Sequence, residues 1–267
     1  MSSGTEVARV GPVERRPPPF GGLSLPVFVI EVRRLLRNRR TVAFTLVLPV
    51  VFFLIFGLNK AYASQRAGSG NVSAFIMISM ALYGCVVATT GSGATVSLER
   101  AAGWSRQLRV TPLTPLAYIL IKMATALVLG FFADVIVYAV GIATGQPSMP
   151  VHVWALSAVV VWLGSLIFGA FGLFMGYLLP SDNVMQVMGF VLWLVSFGGG
   201  LFVPLSQFPE AVRQGAKFTP LYGLNQIVHV GHNSTPFDWT WVLNVLAWLA
   251  IFVGGAAWRF RKDTARV

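Results

Sequence analysis

The chain is dominated by long apolar runs that short polar segments separate. Six of these runs hold roughly 20 residues or more, the length that a helix needs to cross a ~30 Å hydrocarbon core. The pattern therefore predicts six transmembrane helices, at about 41–59, 72–98, 116–144, 151–179, 184–203 and 239–258.

A different pattern precedes the first span. Between residues 23 and 40, Phe28, Val32, Leu35 and Leu36 share one helical stripe, and Glu31, Arg33, Arg34 and Arg37 fall largely off it. This is the pattern of an amphipathic helix lying in the membrane interface, with its basic residues near anionic head groups. Residues 1–22 are rich in Pro, Gly and Arg, and we expect them to form a mobile tail.

Composition agrees with this interpretation. Hydrophobic residues make up 55% of the 267 residues and charged residues only 11%. A soluble domain carries about 25% charged residues, and a disordered chain has low hydrophobicity, so both classes are excluded. We predict an all-α integral membrane protein.

The distribution of Lys and Arg predicts the orientation. If the N-terminus is cytoplasmic, sixteen basic residues lie on that side and four on the other. Because cytoplasmic segments carry the excess of Lys and Arg, both termini are expected in the cytoplasm, including the tail 259–267. An even number of spans is consistent with this orientation.

The first predicted cytoplasmic loop, residues 99–113, carries the most informative motif. A short helix there would present Trp104 and Leu108 on one side, with Arg106 and Arg109 on another. Such a helix could dock on a cytoplasmic partner through an aromatic anchor and a charged rim. A capped turn that merely obeys the positive-inside rule explains the same residues.

The pattern Glu-Arg-x-x-Gly-x-x-x-x-Leu-Arg-x-Thr-Pro-Leu at 99–113 resembles the loop of ABC transporter permeases of the type-2 export family, especially the drug-resistance branch. Residues 200–204, 208–209 and 218–221 resemble the segment between that family's last two spans. The resemblance implies a type-2 transmembrane domain over 41–258, in a homodimer or heterodimer docked on ATP-binding subunits in the plasma membrane. It also implies an ATPase-coupling surface made of Glu99, Arg100, Gly103, Trp104, Leu108 and Arg109, with Glu31 and Arg34 on the interfacial helix.

ATP binding is expected on another polypeptide. A phosphate-binding Gly-x-x-x-x-Gly-Lys-Ser/Thr loop needs a Gly-Lys step, and none of the four lysines follows a glycine. We therefore expect this chain not to be an enzyme, to hold no cofactor of its own, and to depend on ATP and Mg²⁺ bound by the partner.

The predicted outer end of the fifth span contains Phe197, Gly198, Gly199, Gly200 and Pro204. Consecutive glycines weaken a helix, so this stretch could form a substrate path or gate. A helix end packed tightly against a neighbour is the alternative. The apolar segment 205–235 is expected to re-enter the membrane as short helices on the outer face.

Charges inside the predicted spans are few. Asp134 should face protein or a water-filled cavity, where it could shape a substrate path or simply pack between helices. Lys122 is expected to extend back to the head groups. Small-residue stripes at Gly84-Ala88-Ser92 and Gly172-Gly176 predict close helix packing.

The rival classes are an intramembrane enzyme and a secondary carrier. Ser92 between two glycines is a candidate nucleophile, but the three histidines are expected in outer loops and no metal-spaced cluster lies in the spans. A secondary carrier would show internal repeats, which are not apparent. The resemblance to the drug-resistance branch, together with the apolar spans, implies a permease subunit that exports a hydrophobic, drug-like compound by alternating access, with a lipid or polysaccharide precursor as the alternative cargo.

Overall fold

The computed structural model describes residues 22–103 and 113–265. Five helices precede residue 145: α1 (Leu25–Arg37), α2 (Arg39–Gly57), α3 (Lys60–Ser64), α4 (Val72–Ala101) and α5 (Pro115–Thr144). Six more follow within the described residues: α6 (Val151–Gly164), α7 (Leu166–Leu178), α8 (Val184–Gly198), α9 (Glu210–Ala216), α10 (Pro220–Asn233) and α11 (Trp239–Ala265). A hairpin of β1 (Arg66–Ala67) and β2 (Gly70–Asn71) joins α3 to α4, and a 3₁₀ turn covers Leu205–Gln207.

Four of these helical segments are long and apolar enough to cross a bilayer: Val72–Ala101, Leu116–Thr144, Val151–Leu178 and Trp239–Lys262. The prediction of a helical membrane protein is therefore confirmed. The first and fifth predicted spans contain shorter apolar helices, Thr45–Gly57 and Val184–Gly198. At about 1.5 Å per residue neither reaches across ~30 Å alone, so the total of six spans stays a prediction.

Helix α4 is the centre of the bundle and crosses α7 at very short range. A Cβ atom built on Gly172 would lie 2.1 Å from the Thr90 carbonyl oxygen, and one on Gly93 would lie 2.5 Å from the Gly169 carbonyl oxygen. Only glycine lets two helix backbones approach this closely. The glycine stripe of the fourth span therefore packs within the chain.

The predicted fourth span, 151–179, is interrupted at Ser165 between α6 and α7. The Ser165 hydroxyl donates to the Trp162 carbonyl oxygen at 2.6 Å, a bond that tends to bend a helix. At the break, the Ser165 carbonyl oxygen accepts from the Phe168 amide at 2.9 Å and the Gly169 amide at 3.2 Å, and the Thr89 hydroxyl of α4 lies 3.1 Å from it.

The bundle has two distinct ends. At the hairpin end, the Asn71 side chain donates to the Gln146 carbonyl at 2.8 Å, and the Ser69 amide donates to the His232 carbonyl at 2.7 Å. At the opposite end, the Phe260 ring near the end of α11 lies 6.2 Å from the Tyr118 ring at the start of α5. This second end is called the charged end below, because α1 and a group of ionised side chains lie there.

Candidate functional site

Four charged side chains from three helices meet at the charged end. The Lys122 ammonium of α5 lies 2.7 Å from Glu31 Oε2 on α1 and 2.5 Å from Glu99 Oε1 on α4. Arg34 Nη2 on α1 lies 3.0 Å from the same Glu31 oxygen and also pairs with Glu99 Oε1. Two positive and two negative groups balance, and we call Glu31, Arg34, Glu99 and Lys122 the charge cluster.

Three members of the charge cluster are buried, whereas the Arg34 side chain is 45% exposed. Lys122 is 3% exposed and Glu99 6% exposed, so the expectation that Lys122 extends to the head groups is wrong. Removing an ammonium from water is costly unless paired charges surround it, and the two carboxylates supply that pairing. The Tyr118 hydroxyl donates to Glu99 Oε2 at 2.5 Å, which satisfies the second carboxylate oxygen.

Helical spacing places the members of this site on shared faces. Glu31 and Arg34 are three residues apart on α1, and Tyr118 and Lys122 are four apart on α5, where the ammonium lies 5.4 Å from the Tyr118 ring. Glu99 belongs to the last turn of α4, immediately before the predicted coupling loop.

A cavity of about 180 Å³ adjoins the charge cluster between α1, α4 and α5. Besides the four charged residues it is lined by Leu35, Asn38, Ser92, Thr95, Leu98 and Thr125. The Thr95 and Thr125 hydroxyls donate to carbonyls of their own helices, at 2.7 and 2.8 Å. The cavity therefore has mixed walls, with the charged groups at one side and mainly apolar surface elsewhere.

Of the five remaining predicted coupling residues, two lie in the described part of the chain. Arg100 donates from Nη1 to the Tyr177 carbonyl at 2.8 Å and to the Gly176 carbonyl at 3.3 Å, so it caps the end of α7. Gly103 has a φ of +76°, just beyond the end of α4. Trp104, Leu108 and Arg109 lie outside the described residues.

The predicted gate glycines form the end of α8. Gly200 has a φ of +79°, and the Asn225 amide of α10 donates to the carbonyls of Gly199 and Gly200 at 3.1 and 3.2 Å. Phe197 is 40% exposed and lies between Trp193 and Phe208, and Pro204 precedes the 3₁₀ turn. The geometry is that of a helix end fixed to α10, and the role as a gate stays a prediction.

Asp134 lies in the interior of α5. It is 4% exposed, and no hydrogen-bond partner for its Oδ1 atom occurs among the described residues. The nearby Cys85 thiol donates to the Gly130 carbonyl at 3.2 Å. The expectation that Asp134 faces protein is consistent with this burial, whereas a part in a substrate path stays a prediction.

Two of the three histidines differ from their predicted outer-loop positions. His229 and His232 are 1% and 0% exposed and belong to α10, so the prediction of loops is wrong for both. His229 Nδ1 lies 2.9 Å from the Asn225 carbonyl and Nε2 lies 3.2 Å from the Ser79 hydroxyl. Burial lowers the pKa of His229 to about 4, so the ring is neutral and serves to fix α10 on α4. Ser92 instead lines the cavity at the charged end, and no histidine is among the described residues that line it.

Sequence reasoning missed Tyr118 and Lys122 as parts of the candidate site. The available signal was their four-residue spacing near the start of a span, together with two carboxylates in otherwise apolar surroundings. Which carboxylate each group meets depends on how α1 packs, and helical periodicity does not contain that information.

The helical, apolar architecture is that of a membrane protein, and comparison with known proteins shows its family. Residues 27–231 match the family of ABC-2 type transporters, so the chain belongs to that family. It is also similar to YvfS of Bacillus subtilis (strain 168), a protein named as a proposed transport permease. The two are 23% identical over 244 residues, which cover 89% of this chain and 96% of YvfS.

Membership in the family confirms the resemblance to type-2 ABC permeases found in the sequence. The chain is a transport permease subunit embedded in a membrane, and the family implies an ATP-binding partner subunit.

Proposed function

We propose that the chain is the six-span permease subunit of a two-component ABC exporter in the plasma membrane. In this proposal α2 and α8 supply the two further spans, and the segment 199–203 continues the span of α8. The charged end faces the cytoplasm, so that both termini lie there. Two permease chains, identical or homologous, associate with two separate ATPase subunits that hold ATP and Mg²⁺.

The charge cluster is the observation that carries this proposal. It connects the last turn of α4, which leads directly into the loop 99–113, with α1 and with the start of α5. A displacement imposed on the loop by an ATPase subunit would therefore move all three helices together. Concerted tilting of this kind is what alternating access requires of the membrane spans.

The cargo that we propose is a hydrophobic or amphipathic drug-like compound, taken from the cytoplasm or the inner leaflet. The resemblance of residues 99–113 to the drug-resistance branch supports this choice over lipid or polysaccharide precursors. The aromatic series Phe190, Trp193 and Phe197 on α8 is 65%, 53% and 40% exposed, and it offers a surface on which apolar cargo could slide.

Co-purification of the tagged chain from its native membrane tests the partner. A stoichiometric subunit with a Gly-x-x-x-x-Gly-Lys loop and vanadate-sensitive ATPase activity is expected. Purification of a folded permease without any such subunit would contradict the exporter assignment.

A matched pair of substitutions then tests the coupling surface. If Trp104 anchors the ATPase subunit, Trp104→Asp should reduce transport-coupled ATP hydrolysis by about tenfold or more, since a buried aromatic anchor is worth ~2 kcal/mol or more. Trp104→Phe should retain most of that coupling because it keeps an aromatic side chain. Normal coupling in a correctly inserted Trp104→Asp protein would reject the docking assignment.

A further inference from the structure

The cavity at the charged end has features of a binding site that the permease function does not require. Its volume of about 180 Å³ has room for several water molecules, so it is larger than an ordinary packing defect. It is bordered by Leu98, which is 47% exposed, and by Arg34, whose side chain is 45% exposed. It thus adjoins both an apolar lateral surface and a polar surface.

Three polar groups on the cavity walls have unused bonding capacity. The hydrogen bonds of Glu31 within the described chain use Oε2, and those of Arg34 use Nη2. Glu31 Oε1 is therefore an available acceptor, and Arg34 Nη1 and Nε are available donors. The Ser92 hydroxyl likewise has no hydrogen bond within the described part of the chain.

The polar groups available in the cavity favour a zwitterionic ligand over a simple anion or a simple cation. A simple anion could bind Arg34 but would be repelled by Glu31 and Glu99, and a simple cation would meet Arg34 and Lys122. A zwitterion satisfies both signs, with its cationic donor on Glu31 and its anionic group on Arg34. The wall is neutral overall, which also favours a ligand of no net charge.

We propose that this cavity binds the head group of a zwitterionic aminophospholipid of the phosphoethanolamine type. The ammonium donates to Glu31 Oε1, the phosphate accepts from Arg34, and the Ser92 hydroxyl contacts the phosphate. The acyl chains leave the cavity along Leu98. This placement of the lipid rests on the proposed function, because it requires α1 to lie at the level of the cytoplasmic head groups.

Lipid retention by the purified chain tests this inference without the ATPase subunit. Delipidated protein is titrated with dioleoyl phosphatidylethanolamine, phosphatidylcholine or phosphatidylglycerol, and bound lipid is counted by native mass spectrometry. We expect at least about tenfold tighter binding of the ethanolamine lipid, because the choline group lacks N–H donors and the glycerol lipid lacks a cation. Free phosphoethanolamine should compete if the head group alone suffices.

The matched variants are Ser92→Leu, which fills the cavity, and Gly91→Leu. A Cβ atom on Gly91 meets no atom within 4 Å, and Gly91 is not among the lining residues. Ser92→Leu should weaken ethanolamine-lipid binding by about tenfold, whereas Gly91→Leu should bind as the unmodified chain does. Thr95→Leu, which narrows the cavity from another position and leaves the charge cluster intact, should weaken it similarly and serves if Ser92→Leu does not fold.

Equal retention of the three lipids would overturn the proposal, as would unchanged binding by the folded variants. Preference for phosphatidylglycerol would overturn it too, because it would show an anion site. None of these results would affect co-purification of an ATPase subunit, so this inference and the proposed function fail separately.

Discussion

Lys122 shows how a charge can be stable inside a predicted membrane span. Its ammonium is 3% exposed but lies within 2.7 Å of two carboxylates, and Arg34 compensates the second negative charge. Burying an isolated ion would reduce the free energy of unfolding by several kcal/mol. Removing one charge of the cluster therefore leaves its partners without compensation. The individual side chains are therefore strongly coupled.

That coupling predicts the result of Lys122→Met. The change leaves two carboxylates opposite one guanidinium, and we expect a loss of about 3 kcal/mol or more in unfolding free energy. The double variant Lys122→Met with Glu99→Gln restores neutrality and should recover part of the loss. Thermal unfolding in detergent measures both, with exposed Lys60→Met as the neutral control. A double variant no more stable than the single one would contradict the model of mutual compensation.

Among the secondary-structure elements, the contact between α4 and α7 depends on the absence of side chains. The Gly172 position is so close to the Thr90 carbonyl that even a methyl group requires the backbones to separate. Gly254 on α11 gives the opposite case, because nothing lies within 4 Å of its Cβ position. The two glycines have the same helical preference and different packing.

Gly172→Ala and Gly254→Ala should therefore have effects of opposite sign. Alanine at 172 is expected to cost about 1–3 kcal/mol through overpacking. Alanine at 254 should be neutral or stabilise by up to about 1 kcal/mol, since alanine is the better helix former. Unfolding temperatures of the two proteins in the same detergent provide the comparison, and a stable Gly172→Ala protein would show that α4 and α7 can separate freely.

For the molecule as a whole, the two ends differ in chemistry. Helix α1, the end of α4, the end of α7 and the last turns of α11 all gather at the charged end. The hairpin and the end of α10 lie at the other end. The excess of Lys and Arg in the segments at the charged end favours a cytoplasmic position for it.

Cysteine labelling measures that orientation. Cys85 is 0% exposed, so the unmodified chain should give little background with an impermeant maleimide. We expect Arg66→Cys to react in intact cells, because Arg66 is exposed and the hairpin lies on the outer side in the proposed topology. Arg37→Cys should react only after permeabilisation. Labelling of Arg37→Cys in intact cells would require a different topology.

The sequence determined the membrane class, the approximate helix positions and the family. These properties depend on local information: apolar run length, the period of α1 and the spacing of residues 99–113. The break at Ser165 was missed because one serine in an apolar run does not show that its hydroxyl donates to the Trp162 carbonyl and that the helix is interrupted there.

Only the tertiary structure decided which polar groups meet. Lys122 is separated by 91 residues from Glu31, and Glu99 by 65 from Arg34, so no sequence period connects them. Sequence spacing also does not predict that His229 contacts the Ser79 hydroxyl or that Arg100 donates to the carbonyls at the end of α7. The physical reason is that a buried polar side chain must find its partner on another helix, and the partner's identity depends on how the helices pack.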